Sequence, residues 1–287
     1  MSSEVASRPT SDVFAPSGTA ALHREWVAGS EQLSGATLVI VNTVIGDSRT
    51  WREIYKPFAA KHRVLLIDVT NQGRSPSLAT TIAVKQQTEE ICAVVAAEGI
   101  DEPVWVGNSS STSFACHLAA NSPTAKLILL SPLLSLGMER RIDFMKQTFS
   151  AALEDASLET FHRQLTLLTC GSRWLEANRF APAAMLLRLR SLFTMERLRV
   201  SWHQTFFPER DRIETLRSIR CPILLLRGAE EMLQPAALLS SIFADNNFSL
   251  ETLDCGHNLL EESAPSVFAR LRAFLQSPQG NSYVRSS

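Results

Sequence analysis

A serine lies between an apolar segment and an amphipathic one in the stretch WVGNSSSTSFAC, residues 105–116. A serine on a sharp turn from a strand into a helix exposes its hydroxyl, and the backbone N–H groups at the helix start face the reacting oxygen. Residues 107–111 (GNSSS) keep two of the three fixed positions of the pattern G-x-S-x-G, with Ser111 in place of the last glycine. Ser109 is therefore a candidate nucleophile, and a structural Ser-rich turn is the alternative interpretation.

A serine nucleophile needs a base to remove its proton and an acid to orient that base. Two later loops follow apolar, strand-like segments and carry such groups. The loop GAEEMLQP offers Glu230 and Glu231, and the loop DCGHNLLEESAP offers His257. Reactive groups of open α/β sheets gather at the carboxyl ends of the strands. We therefore expect Ser109, one of the two carboxylates and His257 to meet at one edge of a sheet.

Other residues could be assigned to the same chemistry. Cys255, two residues before His257, could serve as a cysteine nucleophile, but at the end of a strand we favour a small buried residue. His117 lies eight residues after Ser109, more than two helical turns away, which is too far for a base. We expect the five other histidines to be structural or exposed: His23, His62, His117, His162 and His203.

The elements that must position these residues alternate along the chain. Apolar, β-branched runs predict strands at 37–41, 63–68, 104–106, 126–130, 223–227 and 249–253. Helical periodicity predicts helices between several of them, such as 81–98 and 110–121. Strands that alternate with helices indicate a parallel sheet covered on both faces. The predicted fold class is α/β, with a mostly parallel central sheet flanked by helices.

One stretch breaks this alternation. Between about residues 133 and 219 the sequence predicts amphipathic helices and no strand, with examples at 143–153, 159–168 and 183–193. An all-helical insertion between two strands is typical of a cap over a site. The predicted organisation is an α/β core at 19–132 and 220–276, a helical cap at 133–219, and flexible tails at 1–18 and 277–287.

Composition excludes several classes of partner and site. The chain has 287 residues, a formal net charge of −1 and 45% hydrophobic residues, which predicts a globular protein with a large core. No block of like charges offers a field for nucleic acid or an anionic membrane, so we expect neither nucleic acid nor a stable membrane anchor. Five scattered cysteines indicate reduced thiols in a cytoplasmic protein. Because the sequence contains no CxxC or HExxH pair, we predict no metal site and no cofactor.

The order of these motifs resembles the α/β-hydrolase superfamily over roughly residues 37–274. In that superfamily the G-x-S-x-G serine is followed along the chain by an acid and then by a histidine. The resemblance implies Ser109 as the nucleophile and His257 as the general base. It implies Glu231 as the acid, because Glu231 lies where the family usually has Asp, and Glu230 is the alternative.

Three further segments match patterns of the family. Residues 42–51 (NTVIGDSRTW) are similar to its loop H-G-x-x-G-S-x-x-x-W, which implies that the backbone N–H groups of Val44 and Ser110 bind the oxyanion. Residues 68–75 (DVTNQGRS) resemble its turn D-x-R-G-x-G-x-S. The Gly-His pair followed by Glu262 and Pro265 resembles G-H-x-x-x-x-E-x-P, with one extra residue before the proline. Glu262 is a candidate to hold the histidine loop, and a surface carboxylate is the alternative interpretation.

The loop after the first predicted strand also departs from the family pattern. Asn42 and Thr43 replace a His-Gly pair, and this replacement predicts weaker support for the oxyanion loop. Asn42 is shared with a subgroup that has an Asn-Gly pair there, the hydroxyacyl-chain synthases and transacylases of rhamnolipid-precursor and polyester-precursor pathways. The resemblance to this subgroup implies acyl transfer as an alternative to hydrolysis.

The residues and the resemblance together predict a serine-dependent acyl hydrolase that acts on an ester or thioester through a Ser109 acyl-enzyme. The predicted cap offers apolar side chains that imply an apolar acyl or aromatic substrate, free or linked to a carrier: Phe144, Met145, Phe149, Leu165, Leu168, Met185, Leu186, Leu189, Phe193 and Met195. One alternative is an acyltransferase or hydroxyacyl-chain synthase with the same triad. Another is a non-hydrolytic scaffold or cyclase with the same fold.

Overall fold

The computed structural model describes residues 22–155, 157–205 and 213–277. The predicted tail at 1–18 lies outside these residues, as does the predicted tail at 277–287 apart from Ser277. Seven strands are described: β1 (Arg24–Trp26), β2 (Thr37–Val41), β3 (Arg63–Ile67), β4 (Val104–Asn108), β5 (Lys126–Leu130), β6 (Ile223–Gly228) and β7 (Phe248–Leu253). They form one sheet in the order β1-β3-β2-β4-β5-β6-β7. Strands β2 to β7 pair in parallel, and β1 pairs antiparallel with β3.

The central strands are mostly apolar and almost entirely buried, because both faces of the sheet are covered. Successive side chains of a strand point to opposite faces. In β2, Val39 packs into the cluster on one face, and Leu38 and Ile40 pack into the cluster on the other. The predicted α/β class with a mostly parallel sheet is confirmed. The sequence analysis missed β1, because its three residues (REW) carry no apolar run.

Twelve α-helices occur in the described residues: α1 (Ser48–Ala59), α2 (Val84–Ala97), α3 (Thr112–Asn121), α4 (Glu139–Glu154), α5 (Leu158–Thr169), α6 (Ser172–Ala177), α7 (Ala181–Leu192), α8 (Met195–Thr205), α9 (Ile213–Arg217), α10 (Ala236–Ile242), α11 (Leu259–Glu262) and α12 (Ala264–Gln276). Apolar residues of α2, α3 and α10 cover one face of the sheet, and those of α1 and α12 cover the other. In the part of the chain that the structure describes, none of these helices combines the length and the apolar character that a transmembrane span requires.

Helices α4 to α8, here called the helical segment, lie between β5 and β6 in the chain. The described residues between these two strands contain no strand. The segment has its own apolar cluster, in which the rings of Phe149, Phe161 and Trp202 lie with centroids 4.9–5.3 Å apart. Tilted and edge-on contacts of this kind are the favoured geometry for aromatic pairs. The helical segment therefore has a core that is separate from the two faces of the sheet.

Polar side chains of α8 attach the helical segment to the loop after β3. The Arg197 guanidinium donates to the carbonyl oxygens of Gln72 at 2.9 Å and Ser75 at 2.6 Å. The buried amide of Gln204 donates to the carbonyl oxygen of Thr70 at 2.8 Å. Losing a buried hydrogen bond leaves its partner unsatisfied, which is costly. These contacts hold α8 against a loop at the carboxyl ends of the strands.

Candidate active site

The turn between β4 and α3 places Ser109 in an unusual conformation. A short 3-10 turn covers Ser109–Ser111, and Ser109 has a φ of +50°, in the left-handed region that residues other than glycine seldom adopt. A Cβ atom at Gly107 would lie 2.7 Å from the Thr112 Cα and 2.8 Å from the Ala115 Cβ. Only glycine allows the strand and the helix to pass so closely. The sharp turn between them therefore directs the Ser109 side chain away from the sheet.

Ser111, which stands where the family pattern has its last glycine, stabilises this turn. Its hydroxyl accepts a hydrogen bond from the Asn108 N–H at 2.9 Å and lies 3.1 Å from the Asn108 carbonyl oxygen, to which it donates. The side chain is fully buried. The departure from G-x-S-x-G therefore adds two local hydrogen bonds and leaves the turn intact.

The structure brings Ser109, His257 and Glu231 together. The His257 Nε2 lies 2.7 Å from the Ser109 Oγ, and the His257 Nδ1 lies 2.6 Å from the Glu231 Oε2. The side chains of His257 and Glu231 are 3% and 1% exposed. With a proton on Nδ1 that is donated to the carboxylate, Nε2 can accept the serine proton. The three residues come from the carboxyl ends of β4, β6 and β7.

The environment of Glu231 favours its charged form. Burial opposes ionisation of this carboxyl, but the charge and hydrogen bond of His257, together with the Leu233 N–H and the charge of Arg227, hold the pKa of Glu231 below its usual value. The Glu231 Oε1 also accepts the Leu233 N–H at 2.7 Å. Both carboxylate oxygens are therefore engaged, and the carboxylate is in place to orient the imidazole.

The two alternatives to this arrangement have other surroundings. The Glu230 carboxylate accepts the N–H of Ser172 at 2.8 Å, so the structure brings Glu231 and not Glu230 to His257. Cys255 is buried, and burial raises the pKa of its thiol to about 12. Because the thiolate is the nucleophilic form, this environment disfavours a cysteine nucleophile and agrees with the expected small buried residue.

Asn42 supports the loop after β2 with every hydrogen-bonding group of its amide. Its Nδ2 donates to the Gly46 carbonyl oxygen at 2.6 Å and to the Asp68 Oδ1 at 3.0 Å. Its Oδ1 accepts from the Thr43 N–H at 2.8 Å and from the Trp51 indole N–H. An amide offers two donors and two acceptor sites, and all four are used. The expectation that Asn42 weakens this loop is wrong, because the amide replaces the missing support.

The buried carboxylate of Asp68 links this loop to its neighbours. Besides the Asn42 amide, it accepts the Ser48 N–H at 2.8 Å and the Arg74 N–H at 2.9 Å. Burial raises the pKa of Asp68, and the backbone hydrogen bonds act against that effect. In the same turn, Asn71 replaces the family's glycine with a φ of +71°. Asparagine is one of the few residue types that tolerate this conformation.

The two predicted oxyanion residues lie next to each other beside Ser109. The backbone N–H of Val44 donates to the Ser110 Oγ at 3.3 Å. Both residues line the cleft that also exposes Ser109 and His257. The loop after β2 and the turn after β4 are therefore in direct contact next to Ser109.

Glu262 holds the loop after β7 and ties it to the helical segment. Its carboxylate accepts the Gly256 N–H at 2.7 Å and the Gly171 N–H at 3.2 Å. The backbones approach so closely that a Cβ atom at Gly256 would lie 2.3 Å from the Gly171 nitrogen. The Asn258 N–H also donates to the Thr169 carbonyl oxygen at 3.0 Å. The junction between α5 and α6 is thus docked on the loop that carries the imidazole.

A cleft of about 1090 Å³, including its solvent-open mouth, lies above Ser109 between the sheet edge and the helical segment. Of the ten apolar residues that the sequence analysis named, six line this cleft: Met145, Phe149, Leu165, Leu168, Met185 and Leu189. The other four, Phe144, Leu186, Phe193 and Met195, are not among its lining residues. The cleft wall contributed by the helical segment is mainly apolar.

Several polar residues of the cleft were not predicted from the sequence, and three of them carry ionisable side chains. His162 was expected to be structural or exposed, and Arg188 and Glu261 were not considered, yet all three line the cleft. A signal for His162 exists in the sequence, because Leu165 and Thr169 lie three and seven positions later, on the same face of a helix. No local pattern, however, indicates which neighbour that face meets.

Comparisons with known proteins agree with this architecture. The sequence model of the alpha/beta hydrolase family matches residues 33–271. The proposed carbamate hydrolase RutD of Caulobacter sp. (strain K31) is 26% identical over 239 residues, which cover 80% of this chain and 87% of that protein.

Two solved structures are similar to this chain. The structure of MGS-M2, an alpha/beta hydrolase from a Medee basin deep-sea metagenome library, has a TM-score of 0.79 at 17% identity and covers 92% of this chain and 97% of its own. Est816, described as an N-acyl homoserine lactone degrading enzyme, has a TM-score of 0.73 at 21% identity and covers 88% of this chain and 96% of its own. At these identities the two structures show a shared fold.

Proposed function

Since the chain belongs to the alpha/beta hydrolase family, we propose that it is a serine-dependent acyl hydrolase that cleaves an ester or thioester with an apolar acyl or aromatic moiety. The observation that carries the proposal is the pair of hydrogen bonds from the Ser109 Oγ to His257 at 2.7 Å and from His257 to Glu231 at 2.6 Å. A weak nucleophile, a base and an orienting acid in contact are what covalent acyl catalysis requires.

In the first half of the reaction, the Ser109 Oγ attacks the substrate carbonyl carbon while His257 Nε2 takes the hydroxyl proton. The imidazolium that forms is stabilised by the buried Glu231 carboxylate. His257 then gives the proton to the leaving oxygen or sulfur, the bond to the leaving group breaks, and an acyl-enzyme remains on Ser109.

The tetrahedral intermediate carries a negative oxygen that needs donors. The backbone N–H groups of Val44 and Ser110 are the donors we propose. The Val44 N–H donates to the Ser110 hydroxyl at 3.3 Å in the substrate-free cleft, and the substrate oxygen would replace that hydroxyl as its acceptor. Removing one such donor costs about 3 kcal/mol of transition-state stabilisation in other serine enzymes.

In the second half, water attacks the acyl carbonyl and gives its proton to His257, after which the Ser109 oxygen leaves and is reprotonated. The solvent-open mouth of the cleft supports water as the acceptor. We propose that the helical segment acts as a cap, since it supplies apolar walls above Ser109. Cleavage would then take place in a partly desolvated cleft, where hydrogen bonds to the oxyanion are stronger than in water.

Acyl transfer is the second candidate, and Asn42 is the observation that favours it, because the synthases and transacylases that the chain resembles have the same residue. An acceptor alcohol would take the place of water in the second half of the reaction. Adding a hydroxyacyl acceptor would then raise the yield of transferred product with its concentration. A product ratio that is independent of acceptor concentration would favour hydrolysis.

The names of the relatives extend the panel of substrates to test. One relative is a proposed carbamate hydrolase and one similar structure is a lactone-degrading enzyme. Carbamates, lactones, esters and thioesters share a carbonyl carbon bonded to a heteroatom that can leave. All four classes can react through the same tetrahedral intermediate, so we include carbamates and lactones in the panel.

The proposal is tested with a panel of short- and medium-chain chromogenic esters and thioesters, together with a fluorophosphonate probe. The wild-type protein is expected to cleave members of the panel and to be labelled by the probe. Ser109→Ala is expected to lose the labelling and to lower kcat by at least about 10⁴-fold.

Ser218→Ala provides a matched control, because Ser218 is an exposed serine that follows α9. This variant should keep both labelling and turnover. Folded wild-type protein that is neither labelled nor active on any member of the panel would contradict the proposal. A non-hydrolytic scaffold would be favoured if Ser109→Ala left the biological activity unchanged.

A further inference from the structure

The wall of the cleft differs in chemistry from one side to the other. On one side, the apolar cluster of the helical segment includes Val44, Phe149 and Trp202, which also line the cleft. On the side near the loop that carries His257, polar lining residues stand next to apolar ones such as Leu165 and Met185: His162 and Thr166 from α5, Arg188 from α7, and Asn258 and Glu261 from the region that follows His257. A substrate in this cleft would meet mainly apolar surface on one side and both apolar and hydrogen-bonding groups on the other.

Arg188 lies at the rim of this polar side. Its Nη2 donates to the Glu261 Oε1 at 2.5 Å, and the two side chains are 40% and 30% exposed. A guanidinium has five N–H donors, and this bond uses one of them. The carboxylate balances the charge of Arg188, so the pair can offer further hydrogen bonds to a neutral group as well as to an anion.

His162 lies deeper in the same side of the cleft and is 5% exposed. Its Nε2 is 3.4 Å from the Thr166 Oγ1. Burial and, to a smaller extent, the charge of Arg188 lower the pKa of His162, which favours the neutral imidazole. A neutral imidazole has one donor nitrogen and one acceptor nitrogen. Arg188 and His162 therefore offer a charged donor and a neutral donor to the same cleft.

The position of His257 indicates which part of the substrate this side meets. In the proposed reaction, His257 Nε2 protonates the leaving atom, so the leaving group lies on the imidazole side of Ser109. Asn258 and Glu261 directly follow His257 in the chain, and Arg188 is bonded to Glu261. The polar side of the cleft is therefore the leaving-group side, and the apolar side is left for the acyl chain.

We propose that Arg188 and His162 form a leaving-group subsite that selects substrates whose alcohol or thiol portion carries an oxygen hydrogen-bond acceptor, such as a carbonyl or carboxylate. This inference rests on the proposed serine hydrolysis, which defines the leaving group. It names a substrate class: an apolar acyl group joined to a polar, oxygen-bearing leaving group. The oxygen of that group would accept hydrogen bonds from the guanidinium and the imidazole.

Three esters of hexanoic acid with leaving groups of similar size test this subsite: carboxymethyl, carbamoylmethyl and propyl hexanoate. The first leaving group carries an anionic acceptor, the second a neutral one, and the third none. Because the esters differ in intrinsic reactivity, the quantity compared is the change in each kcat/KM ratio from wild type to variant. Arg188→Gln should lower the kcat/KM of both oxygen-bearing esters about tenfold relative to propyl hexanoate.

His162→Phe should also lower the kcat/KM of the two oxygen-bearing esters relative to propyl hexanoate. Glu261→Gln leaves the charge of Arg188 unbalanced, so it should raise the preference for carboxymethyl hexanoate over carbamoylmethyl hexanoate several-fold. The matched control is Arg163→Gln. Arg163 is 75% exposed on α5, pairs with Glu159 and does not line the cleft. The substitution Arg163→Gln removes the same charge from the helical segment and should leave the kcat/KM ratios of the three esters unchanged.

A binding measurement separates failure of the subsite from failure of the proposed hydrolysis. Calorimetry measures the affinity of Ser109→Ala for N-hexanoylglycine and for N-propylhexanamide. The same two affinities are then measured with the double variant Ser109→Ala/Arg188→Gln. Tighter binding of N-hexanoylglycine that is lost with Arg188→Gln supports the subsite even if no ester is cleaved. Ratios and affinities that are unchanged by Arg188→Gln overturn the subsite, including when all three esters are cleaved through Ser109.

Discussion

The sheet and the helical segment form the two sides of one cleft by different physical means. The sheet places Ser109, Glu231 and His257 at the ends of hydrogen-bonded parallel strands, so their separations follow from strand pairing. The helical segment contributes side chains from the faces of helices that pack around Phe149, Phe161 and Trp202. Positions at the sheet edge are thus defined by backbone hydrogen bonds, and positions in the helical segment by side-chain packing.

This difference indicates a division of labour within the cleft. The strand ends hold the side chains of the proposed triad within hydrogen-bonding distance of one another, which covalent chemistry requires. Packed helices can change their lining residues without disturbing the strands, which suits substrate selection. We therefore expect substitutions at the sheet edge to lower kcat and substitutions in the helical segment to change KM or selectivity.

The largest effect is expected at the sheet edge, in a comparison of neighbouring carboxylates. Glu231→Gln removes the charge that stabilises the His257 imidazolium and should lower kcat by about 10³- to 10⁴-fold. Glu230→Gln removes the same charge from a residue that contacts Ser172, and kcat should change by less than about threefold. Ester hydrolysis at saturating substrate measures both. A larger loss in Glu230→Gln would reassign the acid.

A smaller loss of kcat is expected from a substitution in the loop after β2, which carries Val44, a proposed oxyanion donor. Asn42→Ala leaves the Trp51 indole N–H and the Gly46 carbonyl oxygen without their partner, so the loop that carries Val44 should lose its fixed geometry. We expect kcat to fall about 10- to 100-fold with a small change in KM. Steady-state kinetics on one ester measures the changes in kcat and in KM separately. Asn42→His, which restores the family's residue, should recover part of the lost kcat. If Asn42→Ala changed only KM and left kcat unchanged, that result would argue against an oxyanion role for this loop.

A substitution that destabilises only the helical segment should show whether this segment and the sheet unfold independently. Phe161→Leu alters a buried ring of the helical segment that does not line the cleft and should cost about 1 kcal/mol. Amide hydrogen exchange should become faster in α4, α5 and α8 while the strands stay protected. Phe58→Leu, at a buried ring against the sheet, is the matched control and should accelerate exchange across the strands. Identical exchange patterns in the two variants would mean that the regions unfold as one unit.

The smallest expected effect is the contribution of Glu231 to stability as pH changes. The folded-state pKa of Glu231 lies below its unfolded value of 4.5, so the ionised carboxylate stabilises the fold above that pH. This contribution is lost as pH falls through the lowered folded-state pKa. The difference in unfolding free energy between wild type and Glu231→Gln, measured by urea unfolding, should therefore shrink from pH 7 towards acid. Glu159→Gln, at an exposed ion pair of the helical segment, should show no such trend.

Local patterns in the sequence were sufficient to predict most of the sheet. The predicted strands 37–41 and 126–130 match β2 and β5, and the other four predicted strands differ from the observed bounds by one or two residues. Apolar runs identify buried parallel strands because both faces of each strand need apolar side chains. Strand β1 was missed because Arg24, Glu25 and Trp26 form a short antiparallel edge strand with mixed character.

The sequence by itself determined the chain order of the serine, the acid and the histidine, and the strand exits on which they lie. It did so because strands and turns depend on residues close together in the chain. Only the tertiary structure decided that Glu231 and not Glu230 meets His257, that the Asn42 amide supports the loop after β2, and that His162 and Arg188 face the cleft. Those outcomes depend on contacts between residues far apart in the chain, and such contacts leave no periodic pattern to read.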